Sequence, residues 1–179
     1  MTKIFIAGSL SIDNLDEKVC NRINNIIASK FEVIVGDANG VDSSIQSYLQ
    51  SKNNKLVTVY CSGKRPRNNI GNWEIKTVQT NARPGTREFF TAKDIVMADD
   101  SDYGFMIWDA RSTGTVSNCL ELLKRKRLAL VYIQKNKDFM IVRSVKDIKK
   151  MLSFMSKSAY KNADLKLKID FQINLISQI

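Results

Sequence analysis

Short apolar runs, each closed by a glycine or small polar residue and leading into a stretch of helical spacing, recur along this chain of 179 residues. Lys3–Ala7 is such a run and ends in Gly8-Ser9, which reads as a buried strand and a tight turn. Val19, Ile23, Ile26 and Ile27 then keep helical spacing to about Ser29, with Asp13 or Asn14 as the cap. Glu32–Val35 is a second strand closed by Gly36, and Gly40-Val41-Asp42 opens a helix with Val41, Ile45, Tyr48 and Leu49 on one side. Lys55–Tyr60 alternates and is rich in β-branched residues, so it reads as a third strand. Residues 62–81 are polar and form a long loop with a short strand at Glu74–Val78. Thr86–Ala98 is helical, with Phe89, Lys93, Val96 and Met97 on one side and Arg87, Thr91 and Asp94 on another. Gly104–Trp108 is a strand running into Asp109, and Gly114-Thr115 begins a helix to about Arg127. Strands at Leu128–Ile133 and Phe139–Val142 precede a helix that starts at Ser144.

Strands alternating with helices predict a single α/β domain of the Rossmann-like, doubly wound kind: a mainly parallel sheet with helices on both faces. Residues 1–157 make up that domain, and residues 158–179, where the pattern weakens, read as a basic and apolar C-terminal extension or dimer arm.

Charge is unevenly placed. Residues 1–123 carry 14 Lys/Arg and 14 Asp/Glu, whereas residues 124–179 carry 14 Lys/Arg and 4 Asp and so hold the entire net charge of +10. That end is either a solvated basic face or an electrostatic surface for nucleic acid, anionic lipid or an acidic partner. The chain has no histidine, which excludes a Ser-His-Asp triad, a Cys-His pair and any His-ligated metal. Three widely spaced cysteines suggest a reducing compartment without a disulfide framework or zinc cluster. With no signal-peptide core and no apolar run near the ~18–20 residues that span a bilayer, a cytoplasmic protein without membrane contact is expected. Neither a cofactor nor a metal is expected.

In an open parallel sheet, ligands bind beyond the carboxyl ends of the strands. Four such ends here carry small or polar residues: Gly8-Ser9, Gly36–Asp42, Tyr60–Gly63 and Asp109–Thr115. A glycine at a helix mouth lets backbone N–H groups approach an anion, and the helix dipole favours negative charge there. Ser9, Ser112, Thr113 and Thr115 add hydroxyls. The glycines either make tight turns or, facing one crevice, hold a phosphate-bearing ligand. Neither a Walker A loop nor the Gly-x-Gly-x-x-Gly fingerprint is present.

Gly36-Asp37-Ala38-Asn39-Gly40-Val41-Asp42 resembles the Gly-Gly-Ala-x-Gly-Val-Asp turn of the SLOG superfamily. This group includes the Lonely Guy phosphoribohydrolases, the DNA-processing A proteins and the YspA- and YpsA-like families. Arg87, Lys93-Asp94, Met97, Asp102, Phe105–Asp109 and Ser112-Thr113-Gly114-Thr115 are similar to the later part of its pattern, over a span of residues 3–133. Nucleoside deoxyribosyltransferases carry a similar Asp…Gly-Thr turn. The resemblance implies a Rossmann-like fold that binds nucleotides or their derivatives, with phosphate at Gly114-Thr115 and with Gly8, Ser9 and Gly36–Asp42 lining the site. It also implies frequent dimers, for which Phe89, Phe90 or the apolar tail Phe171, Ile173, Leu175 and Ile176 are candidates. The phosphoribohydrolases place a catalytic Glu three residues after the Thr; Asn118 stands there and cannot ionise. Thr113 replaces the second glycine of their Gly-Gly pair.

Three functions follow as expectations: a sensor or sequestering module for a nucleotide-derived ligand, an N-glycosidase acting on nucleotides or nucleosides, or a DNA-binding protein using residues 124–179. N-glycosidic cleavage needs a carboxylate, for which Asp109 and Asp94 are the candidates. Asp109 closes an apolar strand, so burial raises its pKa or it is a turn aspartate. Ligand-binding candidates are Gly8, Ser9, Gly36, Asp37, Gly40, Asp42, Arg87, Asp109, Ser112, Thr113, Gly114 and Thr115. Trp73 and Tyr103 are candidates for base stacking, Trp108 for stacking or core, and Arg65, Arg67 and Arg83 for a phosphate clamp.

Overall fold

The computed structural model describes residues 1–179. Seven strands form one sheet: β1 (Lys3–Gly8), β2 (Glu32–Gly36), β3 (Val57–Ser62), β4 (Glu74–Val78), β5 (Tyr103–Trp108), β6 (Ala129–Ile133) and β7 (Asp138–Val142). Their order is β4-β3-β2-β1-β5-β6-β7. All pairings are parallel except that of β6 with β7. The order reverses between β1 and β5, and this switch point is where a doubly wound sheet opens a crevice.

Side chains of each strand alternate between two cores. On one face, Ile4, Ile6, Val33 and Val35 pack under α1 (Glu17–Ala28) and α2 (Val41–Ser51) through Val19, Ile23, Ile45 and Leu49. On the other, Phe5, Ile34, Met106 and Trp108 pack under α3 (Arg87–Asp100) and α4 (Thr113–Lys124). The same core takes in α5 (Val145–Leu152), α6 (Lys157–Leu167) and α7 (Ile169–Ser177) through Ile148, Met151, Ala163, Ile169 and Ile173. Residues 158–179 are therefore helical and packed on the sheet domain. Ile173 faces the core, whereas Phe171 and Leu175 remain exposed.

Local chemistry explains most element starts. Thr86, Ser112, Ser144 and Ser156 each turn a side-chain oxygen onto an amide of the first turn of α3, α4, α5 and α6. The cap of α1 is Asp16 rather than Asp13 or Asn14, because residues 9–15 first cross the sheet edge and bury Ile12. Trp73 is not available for stacking on a ligand. It is buried in the core under α2, donates its indole N–H to the Asn54 carbonyl at 2.8 Å, and is bracketed by the Asn69 side chain. Trp108 is fully buried, and Tyr103 begins β5, at the edge of the sheet opposite the crevice.

Candidate functional site

A crevice of about 1080 Å³ opens at the carboxyl ends of β1, β2 and β5. That is at the upper end of small-ligand pockets, roughly 300–1,000 Å³. The turn after β1 supplies Gly8, Leu10 and Ser11, the turn after β2 supplies Ala38 and Asp42, and the turn after β5 supplies Asp109 through Gly114. From α3 come Arg87, Phe90, Thr91, Lys93 and Asp94. The tertiary fold thus brings three of the four expected turns together. The fourth, Tyr60–Gly63, does not reach the crevice; Arg67 from the loop beyond it does, while Arg65 and Arg83 do not.

Several expected ligand contacts instead buttress the turns. Ser9 is fully buried; its Oγ accepts the Asp109 amide at 3.0 Å and its carbonyl accepts the amides of Ile12 and Val41. Gly36 lies under the wall, where a Cβ would sit 2.3 Å from Asp42 Oδ2. Gly40 has φ +70° and its Cβ would strike the Leu10 backbone. Asp37 is buried and held by Arg67, which donates its amide and Nε to Oδ2 at 3.0 and 3.1 Å and Nη2 to Oδ1 at 2.8 Å. Burial pushes the Asp37 carboxyl up, but these bonds from Arg67 win and hold it below the usual carboxylate range. Thr115 is buried, and its hydroxyl has no hydrogen-bond partner.

Asp109 is a turn aspartate. Its carboxylate accepts the amides of Arg111 and Ser112 at 2.8 and 2.7 Å and the Ser11 hydroxyl at 2.7 Å. Burial alone raises its pKa, but the bonds from Ser11, Ser112 and Arg111 reverse the sign and leave it lowered, against the rise that its position predicts. Asp94 lines the crevice but pairs with Lys93 at 2.7 Å, not with Arg87.

Lys93 and Asp42 form the most unusual part of the wall. Lys93 is 4% exposed and Asp42 6% exposed, both beside the bare Gly36. Burial opposes the charge on Lys93, yet Asp94 and Asp42 raise its pKa overall. Burial pushes Asp42 up to about 6, against the pull of Lys93. Lys93 sits on the apolar stripe of α3 with Phe89 and Met97, and a lysine in such a stripe is the sequence signal for a buried charge. Gln46 gives no comparable signal. It is fully buried, donates to the Gly36 and Asn68 carbonyls, accepts the Ile70 amide, and so pins the loop carrying Arg67 to the β2 turn.

The basic C-terminal third splits in two. Arg125 is tied to Asp99 and Glu121 and Arg127 to carbonyls at the end of α3, at the sheet edge away from the crevice. Lys135, after β6, and Lys166, on α6, line the crevice, together with Ser156, Ser158 and Asn162. No group of three or more Cys, Asp or Glu side chains is placed to share a metal ion.

Fold and crevice together define a Rossmann-like, doubly wound α/β protein with an open site at its switch point. A solved structure of DNA processing protein A from Helicobacter pylori, which addresses that protein's single-stranded DNA binding mode, shares this fold. The TM-score is 0.57 over 93% of this chain and 80% of that one, at 14% sequence identity. The Rossmann-like fold implied by the SLOG resemblance is therefore present. No family model matches the sequence, and no curated protein matches it. No helix is long and apolar enough to cross a membrane.

Proposed function

We propose that the crevice binds a nucleotide-derived ligand by its phosphate at the N-terminus of α4, in a sensing or sequestering role. Gly114 carries the reading. The fold itself demands the absence of a side chain at Gly8, Gly36 and Gly40, where a Cβ would lie within 2.5 Å of other atoms. At Gly114 a Cβ would meet only Ser112 Oγ, at 3.8 Å, in ordinary contact. Alanine would fit there and favour the helix, so no packing reason calls for glycine. What it supplies is bare backbone in the first turn of α4, where amides lack helical acceptors, opening on the crevice beside Arg111.

The test is thermal unfolding with nucleoside mono- and diphosphates and NAD. A ligand selective for the native state raises the melting temperature, by an amount that grows with concentration. Gly114→Val is expected to fold normally and to lose that rise. A rise of equal size in the variant removes the phosphate from α4.

Cleavage of the ligand has less support. Asp109 is occupied by its own turn, Asp94 is paired with Lys93, and Asn118 cannot ionise. Single-stranded nucleic acid is the second reading. It draws on the fold neighbour's single-stranded DNA binding and on Arg87, Arg111, Lys135 and Lys166, which line the crevice without an ion-pair partner. A gel shift with a single-stranded oligonucleotide, weakening steeply with salt, is its expected signature. Absence of a shift at low salt removes it.

A further inference from the structure

Resting on the phosphate reading above, we infer that the end of the crevice between α4, the β6–β7 turn and α6 takes a diphosphate group rather than a single phosphate. Three observations converge on this end. First, Arg111, Lys135 and Lys166 line it and none forms an ion pair, whereas on the α3 side Arg67 and Lys93 are paired with Asp37 and Asp94 and only Arg87 is left unpaired. Second, the serine caps of two helices, Ser112 of α4 and Ser156 of α6, line the same crevice, so two positive helix ends open on it. Third, Asn118 is 6% exposed and lines the crevice, and its side-chain amide has no hydrogen-bond partner in the protein. Its amide still reaches the crevice, so it stands free to bond a group that arrives with a ligand.

Charge balance selects the ligand class. Three cations and two helix ends of about half a charge each, against the Asp109 carboxylate, leave roughly three positive charges. A phosphate monoester brings at most about two negative charges. A second phosphoryl group supplies the remainder. The geometry accommodates it, because Lys135 follows the strand next to the one that leads into α4, about 4.8 Å away along the sheet. Lys166 and Ser158 come from α6, so residues that follow the last strand complete the site. The ligand class is accordingly a nucleoside diphosphate or a pyrophosphate-bridged nucleotide derivative.

The experiment uses inorganic pyrophosphate and orthophosphate as probes, with calorimetric titration of the full chain at fixed ionic strength. Pyrophosphate is expected to bind at least ten-fold more tightly than orthophosphate. Lys135 and Lys166 are both exposed, so the double variant K135A/K166A is expected to stay folded, which its thermal unfolding curve checks. In that variant the preference should shrink below three-fold, with pyrophosphate losing more affinity than orthophosphate. Equal affinities for the two probes, or a preference that survives in the double variant, overturn the diphosphate assignment alone. If neither probe binds, or if Gly114→Val leaves both affinities unchanged, the phosphate site on α4 falls and the diphosphate assignment falls with it.

Discussion

The Ser9 hydroxyl accepts the backbone amide of Asp109 at 3.0 Å across 100 residues of sequence. It thereby joins the turn after β1 to the turn after β5, the two strands that flank the switch point. Ser9 touches no solvent, so its contribution to the site is to hold the two turns in register while Gly8 and Asp109 face the crevice.

Replacing Ser9 with Ala strands the Asp109 amide beneath the site. The expected loss is about 1–2 kcal/mol of stability, read as a lower urea midpoint at unchanged slope. Ligand affinity should fall as well, because the Asp109 turn carries Arg111 and the start of α4. An unchanged midpoint would show that water replaces the hydroxyl at no cost.

The Arg67–Asp37 pair anchors the long loop. Its arginine side chain is 41% exposed and its aspartate 4%, so the direct attraction is partly screened, but truncation at Arg67 leaves a buried carboxylate without its main partner. Arg67→Ala is expected to destabilise the protein by about 2 kcal/mol. Arg67→Ala/Asp37→Ala should recover part of that loss. A double-mutant cycle with no coupling would mean that the loop is held by Gln46 and Asn68 alone.

Asp42 sets a pH dependence with a definite sign. Its folded-state pKa of about 6 stands above its unfolded value near 4, so the folded protein binds the extra proton between those values. The stability it contributes is present at low pH and is lost as pH rises through about 6, a decline of roughly 1 kcal/mol between pH 5 and pH 8. Asp37, Asp100 and Asp109, held below their usual range, act oppositely, and their contribution disappears only as pH falls below about 4. Denaturant titrations at pH 5 and pH 8 should show the decline in the wild type and not in Asp42→Asn. Parallel behaviour of the two proteins would place the titration elsewhere.

Thr115→Val removes a buried hydroxyl that has no partner and keeps the side chain's shape. The variant is expected to gain about 1 kcal/mol in stability. Ligand affinity should be unchanged, since Thr115 lies behind the crevice wall. A drop in affinity would restore Thr115 to the binding surface.

The strand-turn-helix order, the parallel sheet and the identity of the β5–α4 turn were all legible in the chain, because each rests on local periodicity, caps and glycines. Ser112, Thr113 and Gly114 were found in that way and do line the crevice. The same local signals could not separate a glycine that opens on the crevice from one that makes room for the protein. Gly36 and Gly114 look alike in sequence, yet only the packing of Asp42 and Lys93 against Gly36 shows that the first is structural.

Sequence alone thus determined which segments become strands and helices and that their polar turns gather at one edge of a sheet, since backbone preference and apolar spacing act over a few residues. Tertiary structure decided which turn atoms face the crevice. It buried Ser9, Asp37 and Thr115, locked Asp109 in its own turn, and brought Lys135, Ser156 and Lys166 from the basic C-terminal third to the α4 terminus. Those assignments depend on contacts between residues far apart in the chain, where burial and ion pairing are set by partners that no local window contains.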